Sequence, residues 1–304
     1  MERKYTLSIV CFGEVLWDIF PAHKKIGGAP LNVSLRMNSI GVNTTMISRI
    51  GDDDNGKDIL SFLNDQEVTT DLIQITGEYK TGAVQVMINE KGNASYDILY
   101  PSAWDKIVET EKMDKVVTEA DAFVFGSLAC RDEVTRSTLN KLLEKANYKI
   151  FDVNLRAPYY TIDVLNELML KADFIKLNDE ELREISSELG STYNSFEQNI
   201  KFLAEKTNTK QVCVTKGEFG AVLYSNDKFY YNSGYFIKVV DTVGAGDSFL
   251  ASLIVKLLRG KSPQKALNYA CAIGALVAGQ EGANPEISEK LIRDYMKIEK
   301  KYKV

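Results

Sequence analysis

Short continuous runs of hydrophobic residues alternate along the chain with longer segments of helical period. The runs predict strands at 7–12, 45–50, 122–125, 149–153, 174–177 and 212–215, with a hairpin at 221–232. Helical periodicity lies at 32–39, 55–64, 133–147, 162–171, 179–189, 196–206, 248–258, 263–280 and 287–300. Most of the strand runs are apolar throughout, which is typical of strands buried on both faces. The alternation predicts an α/β fold with a mainly parallel central sheet flanked by helices.

Residues 81–100 break this pattern, because apolar Val84 and Val86 alternate there with polar positions such as Gln85. Alternation is typical of antiparallel strands with one exposed face. It predicts strands at 81–89 and 94–100 around a turn at 90–93, and the segment 15–20 is a candidate to join them. We therefore expect a small antiparallel β lid formed by about 15–26 and 80–102, on a single domain that spans 1–304.

Composition narrows the class of protein. Hydrophobic residues make up 45% and charged residues 26%, and the net charge is −5. These values are ordinary for a globular protein and favour neither a nucleic-acid partner nor a membrane partner. We find no secretory signal, and no apolar run reaches the roughly 18 residues of a membrane span. The four cysteines are scattered without metal-ligand spacing, which predicts reduced thiols and a cytoplasmic location.

The chain contains one histidine, His23. This count excludes a metal site built from several histidines. Catalysis must therefore rely on carboxylates, hydroxyls, lysines, backbone amides or a metal bound by oxygen.

The strongest local motif is the run Asp-Thr-Val-Gly-Ala-Gly-Asp at 241–247, which an apolar helical segment follows. Glycines let backbone N–H groups approach a ligand closely, and a helix N-terminus adds unpaired N–H donors with a partial positive charge. Together they predict an anion site suited to a phosphoryl group. Asp247 is either a first-turn helix acid or a general base beside that site, and this motif alone leaves both open.

A second motif lies far upstream, where Gly-Gly-Ala-Pro-Leu-Asn at 27–32 precedes Gly-Asp-Asp-Asp at 51–54. The two motifs in this order resemble those of the ribokinase (PfkB) family of carbohydrate kinases, over roughly residues 7–285. The resemblance implies a ribokinase-like fold with a β lid and ATP-dependent phosphorylation of a sugar primary hydroxyl. It also implies that Asp247 is the general base, and that Gly244, Ala245 and Gly246 form the turn that stabilises the transferred phosphoryl group.

The resemblance also implies residues for the sugar. Asp18 and Asn32 would bind hydroxyl groups, and Gly28 would let the sugar approach the backbone. Asp18 is alternatively a solvated loop acid, and Asn32 is alternatively a helix cap. Trp104 either forms a wall of the sugar site or is a core residue.

On the nucleotide side, Asn178 and Glu181 match the N-x-x-E element of the family. This pair is implied to organise Mg²⁺, with Glu181 acting through water. Its alternative role is a capping box, since the residues lie three apart. The other implied nucleotide residues are Thr215, Gly217, Gly220 and Asn268. Family members can also be activated by a monovalent cation such as K⁺, for which Asp241 is the candidate ligand.

The run Asp-Val-Asn-Leu-Arg at 152–156 resembles the D-x-N-x-R of fructokinases and 2-keto-3-deoxygluconate kinases. Asn154 is therefore a sugar candidate, and Arg156 is a candidate for contact with the phosphate or a sugar oxygen. Fructose is the favoured substrate, with 2-keto-3-deoxygluconate, ribose and a nucleoside as alternatives. A catalytically silent sugar-binding or regulatory protein is the alternative from another class, and homodimerisation through the β lid is a further expectation.

Overall fold

The structure, a computed structural model, describes residues 6–88 and 94–302. The predicted turn at 90–93 and the last residue of the predicted strand 81–89 lie outside these residues. The chain divides into two compact units, Met1–Asn147 and Tyr148–Val304. Each unit combines a sheet with helices, which confirms the α/β class. The single domain spanning 1–304 stays a prediction.

The first unit contains a parallel sheet in the strand order β8-β1-β4-β5. Its strands are β1 (Ser8–Phe12), β4 (Asn43–Gly51), β5 (Thr69–Thr76) and β8 (Ala122–Gly126). Its helices are α1 (Ala29–Ser39), α2 (Asp54–Asp65), α3 (Glu111–Glu119) and α4 (Glu133–Leu143). The side chains of β1 from Ile9 to Phe12 are fully buried, as its continuous apolar run predicts.

The β lid of this unit is a second sheet in the order β3-β2-β6-β7. Its strands are β2 (Leu16–Ile19), β3 (Lys24–Gly27), β6 (Gly82–Ile88) and β7 (Ala94–Ile98). The β2–β3 and β6–β7 pairs are antiparallel, whereas β2 and β6 run parallel. The parallel pair arises because β2 and β6 are not consecutive: the chain passes through β4 and β5 of the larger sheet before it returns to the lid.

The second unit contains a sheet in the order β13-β12-β11-β10-β9. Its strands are β9 (Lys149–Asp152), β10 (Phe174–Asn178), β11 (Gln211–Thr215), β12 (Ala221–Ser225) and β13 (Lys228–Asn232). Strands β9, β10 and β11 are parallel, and β12 and β13 extend the sheet as an antiparallel hairpin. The hairpin turns at Asn226 and Asp227, which both have positive φ, as a tight two-residue turn requires.

The helices of the second unit are α5 (Ile162–Lys171), α6 (Asp179–Glu188), α7 (Phe196–Thr207), α8 (Ala245–Leu258), α9 (Pro263–Ala278) and α10 (Glu289–Tyr302). Residues 248–255 of α8 are all buried, because this helix is apolar on every side and is covered all round. No helix within 6–88 and 94–302 is long and apolar enough to cross a membrane.

Candidate active site

The site of the second unit begins where its parallel strands end. Strands β9, β10 and β11 end at Asp152, Asn178 and Thr215. The register places Asp152 beside Lys176, and Asn178 beside Thr215. Ligands of open α/β sheets bind outside the carboxyl ends of the strands. The sheet thus brings two of the predicted nucleotide residues, Asn178 and Thr215, side by side at a suitable edge.

The glycine turn leads into α8 as the sequence predicts. Gly244 is the N-cap, with φ of 74°, and a Cβ atom there would lie 2.5 Å from the backbone of Ala283. Only glycine fits this left-handed, crowded position. Asp247 follows in the first turn of α8 and is half-buried. Amide N–H groups of a first helical turn point out of its N-terminal end. The N–H of Ala245 donates to the Thr242 carbonyl at 3.2 Å, so the binding of an anion by this turn would rely on the N–H groups that follow Ala245.

A cavity of about 540 Å³ adjoins the glycine turn. Its walls include the predicted residues Thr215, Gly217, Gly220, Ala245 and Gly246. Its apolar part is lined by Tyr235, Phe236, Ile237, Val239, Phe249, Cys271, Gly274, Ala275 and Ala278. This size and lining are typical of a small-molecule site. A glycine turn at the start of a helix, beside an apolar cavity, suits a nucleotide.

Asn178 and Glu181 form a reciprocal pair of hydrogen bonds. The backbone N–H of Glu181 donates to Asn178 Oδ1 at 2.8 Å, and the N–H of Asn178 donates to Glu181 Oε2 at 2.7 Å. The capping-box alternative is therefore confirmed. Glu181 Oε1 accepts a further bond of 2.8 Å from the N–H of Leu155. The buried Glu181 carboxylate thus also fixes the loop that carries Asn154 and Arg156.

Comparison with known proteins gives the family. The family model for "pfkB family carbohydrate kinase" matches residues 4–290. The chain belongs to the PfkB family of carbohydrate kinases. This PfkB kinase is 28% identical over 309 residues to a fructokinase-2 of Solanum habrochaites, and the match covers 92% of each chain.

Solved structures agree with this assignment at the level of the fold. A fructokinase from Xylella fastidiosa with bound ATP has a TM-score of 0.85 at 21% identity, covering 96% of this chain and 99% of that one. A double mutant of the fructokinase from Vibrio cholerae O395, solved with fructose, ADP and potassium ion, has a TM-score of 0.82 at 22% identity. That match covers 96% of this chain and 98% of the other. The ribokinase-like fold is therefore confirmed.

A buried lysine of this PfkB kinase is a site feature that the sequence analysis missed. Lys176 Nζ donates to Asp152 Oδ1 at 2.9 Å, and the two side chains are 8% and 5% exposed. Burial by itself would lower the pKa of Lys176, but the carboxylates of Asp152, Glu181 and Asp247 raise it above its usual value. The missed signal was a lysine in the middle of an otherwise apolar strand run.

The acidic groups around Lys176 suit Mg²⁺. Asp152 Oδ2 is buried and has no hydrogen-bond partner among the described residues, and burial raises the pKa of Glu181 above its usual value. Within 6–88 and 94–302, no group of three or more His, Cys, Asp and Glu side chains is arranged to hold a metal ion. Mg²⁺ at phosphate sites usually keeps its waters and uses only one or two carboxylates, so Asp152 and Glu181 fit it.

Asp241 links two loops near the glycine turn of this kinase. Its Oδ1 accepts a hydrogen bond from the N–H of Val243 at 3.0 Å, and its Oδ2 accepts one from the N–H of Gly282 at 3.1 Å. Asp241 thus holds the approach to α8 against the segment after α9. Its role toward a monovalent cation stays a prediction.

The predicted sugar residues of the first unit lie around the Gly27-Gly28 loop. Asp18 lies on β2, where a Cβ on Gly27 would be 2.5 Å from Asp18 Oδ2, so Asp18 is not a loop acid. Gly28 has φ of 115°, and a Cβ there would overlap the carbonyl oxygen of Glu14. Asn32 is buried inside α1, whose N-cap is Gly28. The capping alternative for Asn32 is therefore wrong.

Two predicted residues take positions other than those expected. Trp104 is 0% exposed and packs 4.0 Å below the guanidinium of Arg131, which agrees with the core alternative and leaves no exposed ring surface to form a wall. Among the residues that the structure describes, Asn268 is not one that lines the cavity. Its Oδ1 accepts hydrogen bonds from Asn232 and Gln264 instead, so it braces α9 against β13.

The sequence analysis also missed one wall of the cavity. Residues 235–239 lie in an irregular segment after β13, where no periodicity marks them. In contrast, Gly274, Ala275 and Ala278 line the cavity from α9, a helix that the sequence predicted at 263–280. Their spacing of one, three and four residues places them on one face of the helix.

Proposed function

We propose that this chain transfers the γ-phosphoryl group of ATP to the primary hydroxyl of a sugar, with D-fructose as the favoured acceptor and Asp247 as the general base. The observation that carries the proposal is the position of Asp247 in the first turn of α8, directly after Ala245 and Gly246, which line the cavity. A carboxylate beside a phosphate-binding turn is suited to accept a proton from an attacking hydroxyl.

The transfer step consists of three bond changes. The sugar O–H bond breaks, and its proton passes to the Asp247 carboxylate. The sugar oxygen forms a bond to the γ-phosphorus, while the bond from that phosphorus to the β–γ bridging oxygen breaks and ADP leaves. The amides of the turn at 244–247 stabilise the charge on the transferred group, which is usually the larger contribution.

Bound Mg²⁺ would neutralise charge on the phosphates, and Asp152 and Glu181 are the residues that would hold its waters. Arg156 is exposed at the end of the 153–156 loop, and its Nη1 donates to the Leu155 carbonyl at 2.9 Å. This location is suited to contact a phosphate or a sugar oxygen. Asp241 remains the residue that we propose for K⁺, which is present in the Vibrio cholerae fructokinase structure.

Fructose is favoured because two relatives that are 28% identical to this chain, over at least 92% of its length, are named fructokinases. The D-x-N-x-R run at 152–156 supports the same choice. A panel of fructose, ribose, 2-keto-3-deoxygluconate, adenosine and fructose phosphates with Mg·ATP tests this choice. We expect the highest kcat/KM with fructose. If no member stimulates release of ADP, the chain is a silent binding protein and the proposal is wrong.

The role of Asp247 is tested by Asp247→Asn. We expect kcat to fall by about 10²–10⁴-fold, while the KM for the sugar changes little, because the amide keeps the shape but cannot accept the proton. Glu188→Gln, a change of an exposed carboxylate at the end of α6, is the matched control and should retain full turnover. Near-normal turnover of Asp247→Asn would contradict the assignment.

A further inference from the structure

Lys176 is a charged residue in the middle of the buried strand β10. Lysine is almost never fully buried unless it is paired. Its side chain is 8% exposed, and its Nζ forms an ion pair of 2.9 Å with Asp152 Oδ1. Burying an ammonium group is costly, so its presence at the site edge of the sheet calls for a reason beyond filling space.

The ammonium group lies under the glycine turn. A Cβ atom placed on Gly246 would be 3.5 Å from Lys176 Nζ, so the side chain reaches the backbone of the first turn of α8. Each neighbouring element presents a titratable group to it: Asp152 from β9, Glu181 from α6, Asp247 from α8 and Cys213 from β11. One ammonium therefore serves several carboxylates.

The ion pair with Lys176 satisfies only one oxygen of the Asp152 carboxylate. Asp152 Oδ2 has no hydrogen-bond partner within the part of the chain that the structure describes. A pair that served the stability of the fold alone would be expected to satisfy both carboxylate oxygens. Three carboxylates interact with one ammonium group, so the positive charge of Lys176 acts on Glu181 and Asp247 as well as on Asp152.

We propose that Lys176 is a positioning residue for phosphoryl transfer, whose permanent positive charge below the glycine turn supports the first turn of α8 and keeps Asp247 ionised. The inference rests on the proposed role of Asp247 as the base. A positive charge favours the ionised form of a nearby carboxylate. Without that charge, Asp247 would bind its proton more tightly and would accept the sugar proton only at higher pH.

The test is the pH profile of kcat/KM for the best sugar, measured for Lys176→Met, Lys176→Arg and the wild type. We expect the acidic limb of Lys176→Met to move upward by about one pH unit, while the KM for the sugar at high pH stays near the wild-type value. Lys176→Arg should return the limb toward its wild-type position because it restores the charge. Lys171→Met, which alters a lysine paired with Glu167 on the surface of α5, is the control and should leave the profile unchanged.

Removing one partner of a buried pair also destabilises the fold, so a second variant separates stability from chemistry. The single substitution Lys176→Gln removes the charge but leaves a neutral N–H donor toward Asp152. We expect its melting temperature to exceed that of Lys176→Met, while the shift of the acidic limb remains. A folded Lys176→Gln variant with an unshifted limb, or a Lys176→Arg variant that fails to restore the limb, would overturn the inference.

The two proposals fail in different ways. If wild-type protein transfers phosphate to a sugar and Asp247→Asn does not, but the limb is insensitive to Lys176, only the positioning role is wrong. If Asp247→Asn retains turnover, the proposed base is wrong, and the proposed positioning role of Lys176 is wrong as well.

Discussion

Each unit contains a buried ion pair, and the two pairs differ in how completely their charges are satisfied. In the first unit, Arg131 binds Asp105 through two bonds, Nε to Oδ1 at 2.7 Å and Nη2 to Oδ2 at 2.8 Å. The carbonyl of Leu99 accepts another bond from Arg131, and the N–H of Ser102 donates to Asp105. The guanidinium also stacks on Trp104. We call this network closed because both oxygens of the Asp105 carboxylate accept hydrogen bonds.

In the second unit, Lys176 binds Asp152 through one oxygen, and the other oxygen is unpartnered among the described residues. A closed network fixes structure, because every buried polar group has its partner. An open network keeps charge available for a ligand. The comparison therefore assigns the Arg131 pair to stability at the end of the β lid, and the Lys176 pair to the chemistry at the strand ends.

The largest effect that tests this comparison is expected from Arg131→Met. The substitution leaves Asp105 buried without its counter-charge, so the free energy of unfolding should fall by about 3–5 kcal/mol. Denaturant titration measures the loss. The double variant Arg131→Met with Asp105→Asn should regain most of it, because no uncompensated charge remains and the amide oxygen can still accept from the N–H of Ser102. An Arg131→Met protein that unfolds at the wild-type denaturant concentration would contradict the structural role of the pair.

A smaller effect is expected from Glu181→Gln. The carboxylate accepts N–H groups of Asn178 and Leu155 on separate oxygens, whereas an amide has one acceptor oxygen and would face the other N–H with its own donor. We expect a loss of about 1.5–3 kcal/mol in stability and a rise in the KM for the sugar of about tenfold, because the 153–156 loop is released. Glu180→Gln, on the exposed side of the same helical turn, is the control. An unchanged KM would mean that this loop does not contact the sugar.

Asp53 offers an intermediate case in the first unit. It caps α2 by accepting from the N–H of Gly56, and it also accepts from the N–H and the hydroxyl of Thr81, next to the lid strand β6. Asp53→Ala should cost about 1 kcal/mol, as the loss of a helix cap does. Thermal unfolding at pH 7 measures the change, and a variant with the wild-type melting temperature would show that these bonds do not stabilise the junction.

The same residue gives a prediction for pH. Burial acts to raise the pKa of Asp53, but the bonds from Thr81 and Gly56 and the charge of Lys80 together hold it below its usual value. The folded state therefore favours the ionised form, and its contribution to stability is present above the ordinary Asp pKa of about 4. It should be lost as the pH falls through the lower folded-state pKa. In Asp53→Ala, this part of the acid destabilisation should be absent.

The smallest effect is expected from Lys24→Met. Lys24 Nζ contacts Asn55 Oδ1 at 2.9 Å and Asp58 Oδ2 at 2.6 Å, and it lies 4.3 Å above the ring of Trp17. This contact joins the lid strand β3 to α2, but it is exposed to water. We expect a change in unfolding free energy below about 1 kcal/mol that shrinks further at high salt. A larger loss of unfolding free energy that does not shrink at high salt would contradict the expectation that exposed ion pairs stabilise this fold less than buried ones.

Much of the fold follows from local patterns in the sequence. The apolar runs predicted β1, β4 and β8 to β11, because strands buried on both faces need apolar residues throughout. Strand β5 was missed, and β3 lay within the predicted lid range 15–26 without being predicted as a strand. Exposed positions such as Lys24 and Lys25 in β3 and a polar start in β5 carry no continuous apolar run. Helix α3 was also missed, because its nine residues are too few to give a clear helical period.

The site divides in the same way. The glycine turn and Asp247 were predictable because tight turns at helix starts demand particular residues. Lys176 and the cavity wall at 235–239 were not, because burial of a charge and the path of an irregular loop are set by tertiary packing. A capping box and a metal-organising pair give the same N-x-x-E spacing, so the sequence could not separate the two roles of Glu181.

The cavity is open on the side of α9 because the residues of this helix that line it are small. Gly274, Ala275 and Ala278 present little more than backbone toward it, although helix α9 as a helix would form as readily with leucine or methionine there. The cavity therefore sets an upper limit on side-chain size at this face of α9 that helix formation itself does not. Drift toward bulkier residues would leave a well-folded protein whose cavity had simply been filled.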